Sequence, residues 1–527
     1  MTLVVGDIPR IHARRNGTAT ACIDAPTHLS WSELDERVTR LSRGLAESFG
    51  IAAGDRFAIL AQNCHEYVEV MFAASRLAAI YTGLNTRHHP AEMVQQMQDS
   101  GAKLLIVGAG LTSVGQDVAA ECGVPLLHLG EEFEALLQAA STHGFDSHGD
   151  ENLPYTLTYT SGTTGEPKGA MISSRNEIAY AQSLTWAAES RHDDRALIVT
   201  PMFHKGGQFS TMHPAYFGLP SVILPTPDPD AILHAIEVHR PTFAVFVPTI
   251  MKMLSDARLA SELNGSRDLS SLRHVMYGSN PIPLPVMRQF RELFPCSLSQ
   301  IGGVGTEGGV ALVLSRVDHE SALADHELEH RLTSCGRVQP GFEVAIVDDD
   351  DREVAPGEVG EMVFRGGSFI RGYWQRPEAS ERLWRNGWLH SGDIGRIDSE
   401  GFVYYVDRKA GRIKTGGETV YARQVENVFR QSPLVREVAV LGMPDEVWGE
   451  AVWAAIELEP TARKQTEEQL LGQFDKFARS QLSGYKVPKR VIFVDQLPRT
   501  ALGKLAIADV RALMTETATA HDAREGV

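Results

Sequence analysis

The stretch Tyr159-Thr160-Ser161-Gly162-Thr163-Thr164-Gly165-Glu166-Pro167-Lys168-Gly169 reads as a strand running into an anion-binding loop. Three glycines, four aliphatic hydroxyls and one lysine fall within eleven residues. Leu157 and Tyr159 set an apolar alternation ahead of the loop, the period of a half-buried strand. Glycine lets the backbone turn tightly and point successive N–H groups inward. Thr160, Ser161, Thr163 and Thr164 add hydroxyl donors around Gly162 and Gly165, and Lys168 adds a full positive charge. The sum is a cradle for a polyanion, foremost the phosphates of a nucleotide. A flexible Gly/Ser/Thr linker shares this composition, but linkers rarely carry a fixed lysine after Gly-x-Pro. The Walker pattern differs, because it needs Gly-Lys-Ser/Thr directly before a helix.

Outward from the cradle, 527 residues are too many for one core and predict at least two domains. With 43% hydrophobic and 22% charged residues the chain has the composition of a globular protein. A net charge of −17 argues against sequence-independent nucleic-acid binding, which needs clustered Lys and Arg, and against an anionic membrane surface. An acidic nucleotide binder must therefore concentrate its positive charge locally. Met1 to Arg15 lacks the apolar core of a signal peptide, and no apolar run is long enough to span a bilayer. Cys22, Cys64, Cys122, Cys296 and Cys335 are scattered and show neither metal-ligand nor redox spacing, which predicts reduced thiols in a cytoplasmic enzyme.

Strand and helix alternate through most of the chain. Trp31 to Leu45 is a predicted helix capped by Ser30 or Ser32; Arg56 to Leu60 and Lys103 to Val107 are buried strands; Tyr67 to Leu77 is a helix. The rhythm continues through Ile198, Val222 to Leu224 and Phe243 to Val247, and predicts α/β units with largely parallel sheets. From about Gly341 the texture turns hairpin-rich and antiparallel, with Asp348 to Asp351 as a solvated turn. Asp407 to Gly411 is a polar break. Beyond it come a helix near Arg423 to Arg430, strands at Val435 to Leu441 and Val452 to Glu457, a helix near Glu467 to Ser480 and a strand at Arg490 to Val494. The expectation is a mixed α/β fold: a large N-terminal domain of α/β layers with a β-rich subdomain over 1–408, and a small mobile α+β domain over 409–527. The tail after Met514 is polar and predicted to fray.

Further motifs fall in a fixed order: Pro201-Met202-Phe203-His204, Tyr277-Gly278-Ser279-Asn280-Pro281, Thr306-Glu307, Gly372-Tyr373-Trp374, His390-Ser391-Gly392-Asp393, Asp407-Arg408, Ile413-Lys414-Thr415-Gly416-Gly417-Glu418, and Pro498-Arg499-Thr500-Ala501-Leu502-Gly503-Lys504. Together with the cradle they resemble the adenylate-forming superfamily of acyl-CoA synthetases, luciferase-like enzymes and peptide-synthetase adenylation domains, over almost the whole chain. The resemblance implies attack of a carboxylate on the α-phosphate of ATP, with Mg2+ and nearby cations offsetting the repulsion between two anions. It casts Lys504 as the cation bridging acyl carboxylate and α-phosphate, and Lys168 and the cradle amides as holding the β- and γ-phosphates. Glu307 would bind Mg2+, Thr306 the α-phosphate, Asp393 and Arg408 the ribose, and His204 would gate the acyl tunnel. Gly278, Ser279 and Asn280 would line the nucleotide and acyl pockets.

The chain departs from that pattern in places. Gly302-Gly303-Val304-Gly305 stands where an aromatic is usual, which removes the ring expected against adenine and predicts a wider site. Ala410-Gly411 occupies the hinge and predicts a pivot lacking side-chain contacts, and Leu505-Ala506-Ile507 stands where an arginine often follows the last lysine. Gly303-x-Gly305-x-x-Gly308 matches a dinucleotide fingerprint, but Glu307 inside it would oppose a pyrophosphate. Gly416-Gly417, Trp448 and Tyr485-Lys486-x-Pro488-Lys489-Arg490 fit coenzyme A as acyl acceptor: small residues for a pantetheine arm, an indole for adenine, and cations for phosphates. Core packing is the other role open to Trp448. The favoured reading is an ATP-dependent carboxylate–CoA ligase acting on a small-molecule carboxylic acid that is bulky and apolar or aromatic. A homodimer is the candidate assembly. The alternatives are a regulatory nucleotide-binding homologue, and an adenylating enzyme that loads a carrier protein.

Overall fold

The computed structural model describes residues 3–142, 149–160, 167–259, 267–278, 282–415, 418–445, 448–482, 484–499 and 505–525. Two compact units arise. One comprises Met1–Val344, Val363–His390 and Asp398–Tyr404, the other Ala345–Met362, Ser391–Ile397 and Tyr405–Val527.

Two largely parallel sheets build the first unit. The six-stranded one runs Leu126–His128, Leu105–Val107, Arg56–Leu60, Ile80–Gly83, Pro154–Thr160, Lys168–Ser173, and only its last pair is antiparallel. The nine-stranded one runs Arg337–Val338, Val310–Leu314, Ser297–Gly303, His274–Gly278, Phe243–Phe246, Ala196–Ile198, Ser221–Ile223, Thr20–Asp24, Thr27–Ser30. Its inner strands are the short apolar runs of the sequence and are buried on both faces, as parallel strands under helices must be. Helix Trp31–Phe49 starts at Ser30, whose hydroxyl accepts from Glu33 N while Glu33 reaches back to Ser30 N. Leu34, Val38, Leu41 and Leu45 form its buried stripe.

A five-stranded sheet follows, in the order Phe342–Val347, Gly360–Gly366, Trp388–Ile397, Trp384–Arg385, with Val403–Arg408 also paired to Trp388–Ile397. Asp348–Asp351 is the expected turn: Asp348 Oδ1 accepts from the amides of Asp350 and Arg352. The small α+β region follows the sequence reading, with helices Ala422–Phe429 and Glu467–Gln481 around the sheet of Val435–Asp445, Gly449–Leu458 and Arg490–Val494. The frayed tail is corrected. Ile507–Glu525 is a helix. Val510, Met514 and Ala518, spaced by one turn, are buried with Leu441, Ile492 and Leu497.

All five cysteines are free thiols. Among the described residues no helix is long and apolar enough to cross a membrane. Asp24, His65 and Glu66 come together in a way their spacing did not predict, but His65 Nδ1 sits 3.0 Å from Asp24 and 3.2 Å from Glu66, and Asp24 also accepts from His65 N. These groups satisfy one another at a helix start.

Candidate active site

Strand Pro154–Thr160 returns as Lys168–Ser173, with Thr160 opposite Lys168 and Tyr159 opposite Gly169. Thr160 and Lys168 therefore flank the cradle loop. Ser161, Gly162, Thr163, Thr164 and Gly165 lie outside the described residues, as do Ser279, Asn280, Gly416, Gly417 and Lys504. The root of the loop is pinned by Asp99. Its carboxylate accepts from Tyr159 Oη at 2.6 Å and from Arg376 Nη2 at 2.6 Å.

The Gly372-Tyr373-Trp374 motif docks alongside the returning strand. Met171 N donates to Gly372 O at 3.1 Å, Trp374 N donates to Gly169 O at 2.8 Å, and Ala170 bridges Tyr373. This docking sets Tyr373 between two of the expected site residues. Lys168 Nζ stands 5.7 Å from the ring centroid, and Tyr373 Oη donates to Glu307 Oε1 at 2.8 Å. Thr306 and Glu307 occupy the single helical turn Gly305–Gly308 after strand Ser297–Gly303, and Ile370 N donates to Glu307 O at 2.8 Å. The sequence displayed the Gly-Tyr-Trp motif but not this pairing, which spans 66 residues. The strand after that turn, Val310–Leu314, is antiparallel to Ser297–Gly303, so the glycine fingerprint there belongs to no βαβ unit.

Several of the glycines have no space beside Cα. A Cβ on Gly303 would lie 1.9 Å from Gly309 O, one on Gly207 2.1 Å from Pro201 O, and one on Gly308 1.8 Å from the Phe369 ring. A Cβ on Gly309 would meet the Tyr180 ring at 1.9 Å, and one on Gly278 the carbonyl of Ile301 at 2.5 Å. These positions are glycine because backbone or a ring already fills the space. The aromatic missing at Gly303 could not be accommodated by this backbone.

His204 is the N-cap residue of helix Lys205–Phe217; its ring packs on Phe203 at 4.6 Å between centroids, and its carbonyl accepts from Gln208 N. Lys205 and Gln208, which follow His204 on this helix, bond to neighbouring elements. Lys205 forms a buried ion pair with Glu177 and lies 4.9 Å from the Tyr180 ring. Gln208 Oε1 accepts from Thr158 Oγ1 at 3.0 Å, which ties the helix of His204 to the strand of the cradle.

In the second unit Asp393 is buried, and its carboxylate pairs with Arg408 Nε at 2.9 Å, so the two expected ribose contacts meet each other. Gly392 precedes it at φ 69, a conformation glycine adopts without strain. Burial, then the charge of Asp393, pushes the Tyr405 hydroxyl up to about 12. Asp407 and Lys409, just before Ala410-Gly411, make side-chain contacts. Asp407 accepts from the amides of Arg408 and Arg423, and Lys409 pairs with Glu361 at 2.7 Å. Burial raises the Asp407 carboxyl, against the pull of those amides. Trp448 is 44% exposed, which removes core packing as its role, and Lys489 Nζ lies 4.9 Å from its ring.

The first unit carries the Thr-Glu turn and the strands that flank the loop, and the second carries a buried aspartate. Residues 10–374 match the AMP-binding enzyme family and residues 424–504 the AMP-binding enzyme C-terminal domain. The chain belongs to this family, within the adenylate-forming superfamily. It is 34% identical to a feruloyl-CoA synthase of Amycolatopsis sp, over 96% of this chain and 98% of that protein. It is 33% identical to an indoleacetate–CoA ligase of Aromatoleum aromaticum, over 95% and 96% of the two chains. Its fold is similar to that of o-succinylbenzoate CoA synthetase from Bacillus subtilis bound to an acyl-adenylate, with a TM-score of 0.82, 29% identity, and 96% and 97% of the chains covered.

Proposed function

We propose that this chain joins an aromatic or otherwise bulky apolar carboxylic acid to coenzyme A. The chain is an AMP-forming acid–thiol ligase that uses ATP, Mg2+ and CoA. The carboxylate attacks the α-phosphate, pyrophosphate leaves, and the thiol of CoA then attacks the acyl-adenylate and releases AMP. The substrate class rests on relatives whose acids are ferulate, indoleacetate and o-succinylbenzoate. The observation that carries the site reading is the approach of Lys168 and Glu307 to the two sides of Tyr373. That arrangement gives one cation for phosphate oxygens and one hard carboxylate oxygen donor, the ligand type Mg2+ takes. Glu307 and the Thr306 hydroxyl would hold the metal and α-phosphate, and the metal supplies charge neutralisation when bound.

Asp393 and Arg408 would receive the ribose, His204 would screen the acyl entrance, and Trp448 with Lys489 would receive CoA. Lys504 would bridge the acyl carboxylate and α-phosphate. The domains would divide at 408/409, with the smaller one moving between half-reactions. The protein would be cytoplasmic, would act without nucleic acid, and could form a homodimer.

The test is pyrophosphate release, then thioester formation, with cinnamate-type, indole-type, benzoate-type and short linear acids. Wide aromatic acids should give the highest kcat/KM; acetate or propionate outperforming them all would end the substrate assignment. Lys504→Ala should lower pyrophosphate release roughly a hundredfold or more, the scale of one lost transition-state donor. A loss of only a few-fold would remove Lys504 from the chemistry.

A further inference from the structure

The line Lys168–Tyr373–Glu307 does more than supply one cation and one metal ligand. Given the proposed function, on which this inference rests, we propose that Tyr373 is a positioning residue that orients both partners of the metal–triphosphate: the Glu307 carboxylate through its hydroxyl, and the Lys168 ammonium through its ring.

The backbone holds Tyr373 in place from several sides. Its neighbours join the Lys168–Ser173 strand, Ala170 bridges it, and its own N–H donates to Ser380 Oγ at 2.9 Å. Gly372 admits this close approach, since a Cβ there would lie 2.4 Å from Ser380 Oγ. The ring therefore has little freedom, and neither has the peptide of Glu307, held by Ile370 N. A neutral hydroxyl donating to a carboxylate fixes its orientation without cancelling its charge. That is what the outer partner of a cation ligand must do. An arginine or lysine in the same place would neutralise the carboxylate and compete with the metal. On the other side, an ammonium within about 6 Å of a ring face is attracted to it and loses some of its rotamer freedom in advance. Lys168 is thereby held over the Tyr373 ring before a nucleotide arrives.

Two variants separate the hydroxyl from the ring. Tyr373→Phe keeps the ring and backbone but loses the bond to Glu307. Tyr373→Leu loses both. The full-length protein is titrated with a non-hydrolysable ATP analogue by calorimetry, without divalent ion and with Mn2+, and Mn2+ occupancy is read by electron paramagnetic resonance. Tyr373→Phe should weaken Mn2+ uptake in the analogue complex about tenfold, the scale of a hydrogen bond to a charged group, and leave metal-free analogue affinity unchanged. Tyr373→Leu should in addition lower the metal-free affinity several-fold, with circular dichroism unchanged in both. Wild-type Mn2+ uptake in Tyr373→Phe overturns the proposal. So does an equal loss of both affinities in the two variants with a matching fall in Tm, because that is packing and not positioning. Wild-type protein that neither binds the analogue nor releases pyrophosphate with any acid would instead fail the functional reading itself.

Discussion

A Cβ on Gly303 would stand 1.9 Å from the carbonyl oxygen of Gly309, a distance no flexible side chain can relieve because both atoms are fixed by backbone. Gly303→Tyr is therefore expected to destabilise the protein by about 1–3 kcal/mol or more through forced backbone shifts. It should lower kcat/KM evenly for wide and narrow acids. Thermal unfolding together with kcat/KM for one wide and one short acid checks this; selective loss of the wide acid would mean that Gly303 makes room for the acyl group. Trp448 offers the opposite case, an exposed ring beside Lys489. Trp448→Ala should raise KM for CoA about tenfold, the scale of a lost base–aromatic stack, and leave pyrophosphate release near wild type; an unchanged KM would remove Trp448 from the CoA site. Single residues were unevenly legible in the sequence. Lys168 and Glu307 stood out because their motifs are local. The Tyr373 hydroxyl could not be read, because its partner lies on another element, and composition alone cannot distinguish empty space beside a glycine from a neighbouring carbonyl.

At the scale of elements, the helix that begins after His204 is fastened at its first turn by the buried Lys205–Glu177 pair and by Gln208 bonded to Thr158. Buried pairs contribute little net stability against an apolar substitute, but removing one partner strands a charge, at about 3–5 kcal/mol. Glu177→Leu should thus lower Tm sharply, and Glu177→Leu with Lys205→Met should recover much of the loss. Differential scanning calorimetry of both variants decides it: equal Tm values would mean that the pair does not anchor this turn. The pairing was not legible in the sequence, because Glu177 and Lys205 lie on different helices, Ser174–Ala187 and Lys205–Phe217. Regular elements were far more legible. Arg56–Leu60 and Arg490–Val494 lie where their apolar runs put them, since a short run between turn residues has few alternatives. Helix Ile507–Glu525 escaped notice because, among the described side chains, Val510, Met514 and Ala518 mark its buried face at one residue per turn.

For the whole molecule, the α/β alternation and the later antiparallel texture sufficed to predict the classes of sheet, whereas the chemistry inside the core had to be seen. Three histidines are packed there as neutral rings. Burial lowers His213 to about 4, His274 to about 3 and His319 to about 4. Their hydrogen bonds suit the neutral form: His213 with Ser190, His274 between Ser297 and Ser299, His319 with Tyr277 and Ser315 O. The unfolded chain binds protons on these rings near their ordinary value of 6.5, and the folded chain refuses them until far lower pH. Their stabilisation is therefore fully present above pH 6.5 and is lost as pH falls toward about 4, at roughly 1 kcal/mol per histidine over the first pH unit. Glu69 works in the opposite sense. Burial pushes its carboxyl up to about 7 against the pull of Arg37, so the folded state gains a proton that the unfolded state lacks between that value and 4.5. Three rings outweigh one carboxyl, and Tm should fall between pH 7 and pH 5.5. His274→Gln, whose amide can still reach both serines, should remove about a third of the histidine contribution to that slope. Calorimetry of both proteins at the two pH values is the measurement. Parallel pH profiles would mean that His274 is protonated within the fold.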